Sequence, residues 1–229
     1  MITQIYDIQS VPEALACIEA GADYIGVCPP QYTEDDSQLP GVVSHETAKA
    51  IMEATEGKGA KRVYIILADS AETAYKTVEN YHPEVVHISA NNFVATPEVV
   101  EKIKSIDPDI KVMQALAVNG PESIDAAKEF AKFVDMLILD SPNPNVGCIG
   151  AAGVEHDRGI DRAIIEAVDI PVIIAGGLGP DNVVEAIMET HPWGVDSLTK
   201  TSRFFPDGGF EKDIELVRLF CERAHAAEV

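Results

Sequence analysis

An aspartate closes an otherwise apolar run at Met136-Leu-Ile-Leu-Asp140. A carboxylate is costly to bury without partners, so this position has two readings. Asp140 is a general acid or base with a tuned pKa, or it caps its own loop, Ser141-Pro-Asn-Pro-Asn. Two further runs carry reactive groups. In Gln4-Ile5-Tyr6-Asp7, strand alternation sends Ile5 to one face and Gln4 and Tyr6 to the other, while Asp7, at the end, can bend either way. In Val85-Val-His-Ile-Ser89 the same alternation sends His87 and Ser89 to the face opposite Val86 and Ile88. His87 is a general base, a ligand donor, a metal ligand or a histidine satisfied inside the core. A metal would need partners such as Asp7 and Asp140, and no HxH or HExxH spacing supports one.

A second chemistry is anion binding. Pro171-Val-Ile-Ile-Ala-Gly-Gly-Leu-Gly-Pro-Asp-Asn182 reads as a strand, a tight turn and a helix start. Free amides and the positive end of a helix dipole converge at such a turn, at Gly176, Gly177 and Leu178, and suit a phosphate. A second turn, Gly194-Val-Asp-Ser-Leu-Thr-Lys200, brings Asp196 and Ser197. The segment Gly150-Ala-Ala-Gly-Val-Glu-His-Asp-Arg158 adds Gly153, a candidate N-cap at Asp157, and Arg158, which reaches an anionic group or stays solvated. Lys200 and Arg203 are candidate cations near the phosphate, and Cys28 and Cys148 are candidate thiols at strand or loop ends.

These residues must be held by regular elements. Strands are predicted over 2–8, 24–28, 62–68, 85–89, 111–118, 136–140, 172–175 and 194–198. Helices are predicted over 12–20, 45–55, 71–81, 97–105, 121–132, 160–168, 180–189 and 211–227, from apolar residues spaced by three and four. Eight β-then-α units, with phosphate turns on the last two, predict a single-domain α/β fold over 1–229, a phosphate-binding (β/α)8 TIM barrel. An open doubly wound sheet is the structural rival. The longest irregular segments, 29–42 and 141–156, then lie at the C-terminal mouth, where barrel active sites are built.

The 38 acidic residues against 17 lysines and arginines give a formal charge of −21. That field repels nucleic acid and anionic membranes, so neither is an expected partner. It also opposes a phosphorylated ligand at long range, which local dipoles and a few placed cations must then capture. No apolar run approaches the ~18 residues of a membrane span, and Met1-Ile-Thr-Gln-Ile lacks signal-peptide features. A cytoplasmic location is expected. The four cysteines form no CxxC pair and read as free thiols.

Taken together, the motifs resemble the phosphoribosylanthranilate isomerases, (β/α)8 enzymes of tryptophan synthesis. The resemblance rests on Gly21-Ala-Asp-Tyr-Ile-Gly26, Leu137-Ile-Leu-Asp-Ser141, Gly150-Ala-Ala-Gly-Val-Glu-His-Asp157, Ala175-Gly-Gly-Leu-Gly-Pro-Asp-Asn-Val183 and Gly194-Val-Asp-Ser197. It implies an Amadori rearrangement in which Asp140 is the acid that opens the sugar ring. The family's base is a cysteine in a Lys-Ile-Cys-Gly run. The matching run here is Gln4-Ile5-Tyr6-Asp7, with Tyr6 in the cysteine's place and Asp7 in the glycine's. A tyrosine of pKa ~10 is a poorer base than a cysteine near ~8.5. A family arginine in Ser-Pro-Arg binds the anthranilate carboxylate, and Leu39-Pro40-Gly41 has none. Ser89 replaces a family histidine.

The resemblance thus implies an isomerase of the aldose–ketose class acting on a small phosphorylated sugar derivative, with altered aglycone or altered chemistry. Asp140 is the expected acid, and Asp7, ahead of Tyr6, the expected base. Gly153, Gly176, Gly177, Leu178, Asp196, Ser197, His87, Ser89 and Arg158 are the expected binding residues. No organic cofactor is expected, and the chain is expected as a monomer or homodimer. A tryptophan-pathway isomerase remains open if Asp7 replaces the cysteine and Arg158 the arginine. The alternatives are a metal-dependent epimerase or lyase on a sugar phosphate, and a binder without catalysis.

Overall fold

The computed structural model describes residues 1–33, 39, 41–143, 148–150, 153, 155–206 and 208–227. Eight parallel strands close into a barrel: β1 (Ile2–Ile5), β2 (Tyr24–Val27), β3 (Lys61–Ile66), β4 (Val85–Ile88), β5 (Lys111–Ala117), β6 (Met136–Asp140), β7 (Val172–Ile174) and β8 (Gly194–Ser197). The eighth pairs with the first, Gln4 opposite Asp196 and Ile5 opposite Ser197. Parallel neighbours need crossovers, supplied by α1 (Val11–Glu19), α2 (His45–Thr55), α3 (Ala71–Tyr81), α4 (Pro97–Ile106), α5 (Glu122–Phe130), α6 (Arg158–Ala167), α7 (Val183–Thr190) and α8 (Ile214–Ala226).

The strands separate two cores. Ile5, Ile25, Ile88 and Leu137 face outward to the helices, joined by Ile51, Ile103 and Phe220. Tyr24, Val63, Val85, Met113, Met136 and Ile173 fill the barrel interior, so it is a packed plug and not a pore. Alternation places Ile5 in the outer layer and Tyr6 in the inner one. The four cysteines, Cys17, Cys28, Cys148 and Cys221, are thiols and buried.

Local chemistry sets the element ends. Ser44, Thr96, Asp157 and Asp213 cap their helices by accepting amide hydrogen bonds. The first strand stops at Ile5, three residues before the predicted end, because Asp7 adopts φ +67° and leaves the extended region. Helix α7 starts at Val183, not at 180, because Pro180 to Asn182 form a turn. There Asn182 Oδ1 accepts from the Gly179 amide at 2.8 Å, and its Nδ2 donates to Gly177 O at 3.1 Å.

Two short hairpins were not foreseen. One pairs Pro142–Asn143 with Cys148–Ile149 after β6. The other pairs Ser202–Phe204 with Phe210–Lys212, and so delays α8 to Ile214. Pro206-Asp-Gly-Gly209 is a turn signal between aromatic residues. The helical reading from 211 absorbed its second half.

Candidate active site

The strand ends open onto a cavity of about 320 Å³. Tyr6, Asp7, His87, Ser89, Asp140 and Asp196 all border it, so half of the predicted site residues meet there. A smaller notch adjoins it, between the loops of β6, β7 and β8. Gly153, Gly176, Gly177, Leu178, Ser197 and Thr199 line this notch, and Asp140 and Asp196 border both spaces.

The notch has the build of an anion site. Gly176 and Gly177 hold φ +80° and +65°, closed to most side chains. A Cβ on Gly177 would stand 2.8 Å from Gly153 O, so two loops meet at a distance only glycine permits. No acceptor among the described residues takes the amides of Gly177 or Leu178. Ser197 Oγ donates to Leu178 O at 2.7 Å and ties the two turns together. Lys200 is exposed, with its stem against Gly179.

Asp140 combines a local cap with a place on the cavity wall. Its Oδ1 accepts the Ser141 amide at 2.7 Å, the local cap, and the carboxyl still faces the cavity. Burial raises its pKa to about 6 against the opposing pull of that amide and of His156. Gly150, at φ +92°, lies so close that any Cβ there would strike the carboxylate. Behind it, His156 Nδ1 stands 2.8 Å from Asp161 Oδ1, both side chains nearly inaccessible. Burial lowers the pKa of His156, but Asp161 outweighs it and holds the imidazole above its usual range. No motif marks this buried pair in advance: His156 lies just before α6 and Asp161 in its first turn.

Asp7 also reaches a pKa of about 6, raised by burial and opposed by Lys212. Lys212 is a buried cation that sequence reading missed. It lies in the unforeseen hairpin, and its Nζ donates to Ser202 Oγ at 2.9 Å. Asp196 is buried and accepts from Gln4 Nε2 at 3.2 Å. Burial, then the Asp140 charge, pushes its carboxyl well above the usual range.

Tyr6 hydrogen-bonds His87 Nδ1 through its hydroxyl. Burial drives the tyrosine pKa well up and that of His87 down to about 3, so both are neutral. In the tautomer in which Tyr6 donates and Nδ1 accepts, Nε2 carries the ring proton. That buried Nε2 has no partner among the described residues. Ser89 Oγ donates to Ile149 O at 2.9 Å and anchors the β6 hairpin.

Other expectations are corrected. Arg158 is not at the cavity. It opens α6 and pairs with Glu155, Glu185 and Glu189, which hold its guanidinium on the outer surface. It therefore cannot replace a lost ligand-binding arginine. Arg203 pairs with Asp213 at 2.7 Å and lines neither space. Cys148 lines the cavity, but burial raises its thiol to about 11, which leaves it un-ionised. Among the described residues, no three His, Cys, Asp or Glu side chains converge to hold a metal. His87 turns to Tyr6 instead of joining Asp7 and Asp140. Among the described residues, no helix is long and apolar enough to cross a membrane. Of the predicted mouth segments 29–42 and 141–156, residues 34–38, 40, 144–147, 151, 152 and 154 lie outside the described residues.

Comparison with known proteins places these features in context. The family model described as "N-(5'phosphoribosyl)anthranilate (PRA) isomerase" matches residues 5–223. N-(5'-phosphoribosyl)anthranilate isomerase 2 of Methanosarcina mazei is 30% identical over 225 residues, 98% of this chain and 94% of the relative. The phosphoribosyl anthranilate isomerase structure from Thermotoga maritima superposes with a TM-score of 0.77 at 22% identity, covering 98% of this chain and 99% of that one. Another such isomerase, in complex with reduced 1-(o-carboxyphenylamino)-1-deoxyribulose 5-phosphate, gives 0.75 at 21% identity, covering 98% and 99%.

Proposed function

The chain belongs to the N-(5'-phosphoribosyl)anthranilate isomerase family, a family of tryptophan biosynthesis, and from that premise we propose that it isomerises a 5-phosphoribosyl amine from aldose to ketose, with Asp140 as acid and Asp7 as base. One placement carries this reading. Asp140 borders both the anion notch and the larger cavity, so a phosphate held by the Gly176–Leu178 amides leaves the sugar within its reach.

The protonated Asp140 carboxyl gives its proton to the furanose ring oxygen. The C1–O bond breaks, and the nitrogen lone pair forms C1=N, an iminium. The Asp140 carboxylate left behind stabilises that cation. Asp7, as carboxylate, then removes the proton on C2, and the C–H electrons form C1=C2 while those of C1=N return to nitrogen. The resulting enol tautomerises to the C2 ketone, so the product is an isomer of the substrate. Tyr6 is the weaker candidate base: its hydroxyl is engaged by His87, and burial disfavours its anion. Its role in this reading is to donate to His87 Nδ1, with Nε2–H turned to a substrate oxygen while burial keeps the ring neutral.

Incubation with the phosphoribosyl adduct of an aromatic amine, carbon-13 labelled at C2, tests the activity. The expected result is a ketone resonance at C2 by NMR. Binding of the adduct without conversion at any pH between 5 and 8 contradicts it and favours a binding protein.

A further inference from the structure

The C-terminal face is rich in carboxylates and nearly empty of positive charge. Asp7, Asp140 and Asp196 border the main cavity, and among the described residues no lysine or arginine does. The sequence extends this beyond those residues. Segments 6–10, 28–44, 67–70, 89–96, 118–121, 141–157 and 175–182, which follow the first seven strands, contain no lysine or arginine. Segment 198–213, after the eighth, contains Lys200, Arg203 and Lys212.

None of those three is available to a second anion in the cavity. Lys200 lies beside Gly179, on the notch side. Arg203 is held by Asp213. Lys212 is buried, donates to Ser202 Oγ, and has Asp7, Glu13 and Asp196 as its electrostatic neighbours. Residue 41, on the cavity wall, cannot add a cation either, since any Cβ there would fall on the Asp7 carboxylate. Away from Tyr6, His87, Ser89 and Thr199, one stretch of the wall is apolar: Ile65, Leu67, Ile149, Phe204 and Phe210. Phe204 is 56% exposed, an aromatic face standing open at the rim.

We propose that the nitrogen substituent of the substrate is an uncharged apolar ring lacking a carboxylate, received between Ile65, Leu67, Ile149, Phe204 and Phe210. A carboxylate on that ring would be desolvated beside the Asp7 carboxylate with no lysine or arginine on the cavity wall to pair it. The phosphate escapes this penalty because the notch meets it with amides.

The inference rests on the aldose–ketose reading, and calorimetric titration of the full chain separates the two. Three unreactive probes serve: ribitol 5-phosphate, 1-anilino-1-deoxyribitol 5-phosphate and its o-carboxyphenyl counterpart. The anilino probe is expected to bind about tenfold or more tighter than either of the others. Equal or tighter binding of the carboxyphenyl probe overturns the proposal and leaves the isomerase reading intact. So does an anilino probe no tighter than ribitol 5-phosphate. Failure of all three to bind overturns both.

Discussion

Asp7 and Gly41 are fitted to one another: the Asp7 carboxylate fills the volume that a side chain at residue 41 would enter. Both residues hold positive φ, +67° and +70°. Gln9 Nε2 joins them, donating to Asp7 Oδ1 at 3.0 Å and to Gly41 O at 3.1 Å. The chain that lacks an arginine in this run has an acid where that side chain would pass.

Gly41→Ala tests this fit. The added methyl meets the carboxylate in a backbone region costing L residues ~1–2 kcal/mol. The expected outcome is a fall in unfolding free energy of about that size by denaturant titration, together with a fall in kcat at little changed KM. A silent substitution would show that the pair is not sterically coupled.

The activity is expected to be bell-shaped in pH. Asp7 must be ionised and Asp140 protonated, and both have pKa values near 6. Below that value Asp7 loses its charge, and above it Asp140 loses its proton. The profile of kcat/KM should therefore peak near pH 6, its two limbs belonging to the pair and not to single residues. A plateau from pH 7 to 9 contradicts the assignment.

Stability is expected to move with pH in the same window. These carboxyls have folded-state pKa values above their unfolded ones, so the native state binds more protons. Their contribution is fully present below about pH 4 and lost as pH rises through about 6, at ~3 kcal/mol for one such group. Calorimetry should give a Tm at pH 5 roughly 5 °C or more above that at pH 8. Asp7→Asn should raise the pH 8 value. A Tm that climbs from pH 5 to 8 refutes this.

Tyr6→Phe separates the two candidate bases. If Asp7 removes the C2 proton, Tyr6→Phe lowers kcat by about tenfold or less, whereas Asp7→Asn lowers it by ~10²–10⁴. Tyr6→Phe also strips a buried His87 Nδ1 of its donor, at a cost of ~1–3 kcal/mol in stability. The reverse order of kcat losses would make Tyr6 the base.

Much of this architecture was legible because periodicity and position carry it. Helices 45–55 and 71–81 and strand 136–140 match their predicted limits, since caps and apolar spacing mark them. Inward facing of Tyr6, His87 and Ser89 followed from alternation alone. What stayed hidden depends on contacts between distant segments. Lys212 falls in the predicted last helix, whereas the hairpin buries it as an electrostatic neighbour of Asp7. Arg158 reads as a free cation until α7 brings Glu185 and Glu189 beside it. The absence of cations was partly visible as a charge count, but its meaning required knowing which segments share the mouth.

The most direct test is the Asp140→Asn variant, measured for turnover of a phosphoribosyl aromatic amine and, in parallel, for affinity toward 1-anilino-1-deoxyribitol 5-phosphate. The amide keeps the shape and cannot supply the proton. Affinity within a few-fold of the parent and a kcat lowered by ~10² or more is the outcome expected of a ring-opening acid. Undiminished turnover by the folded variant would contradict the account.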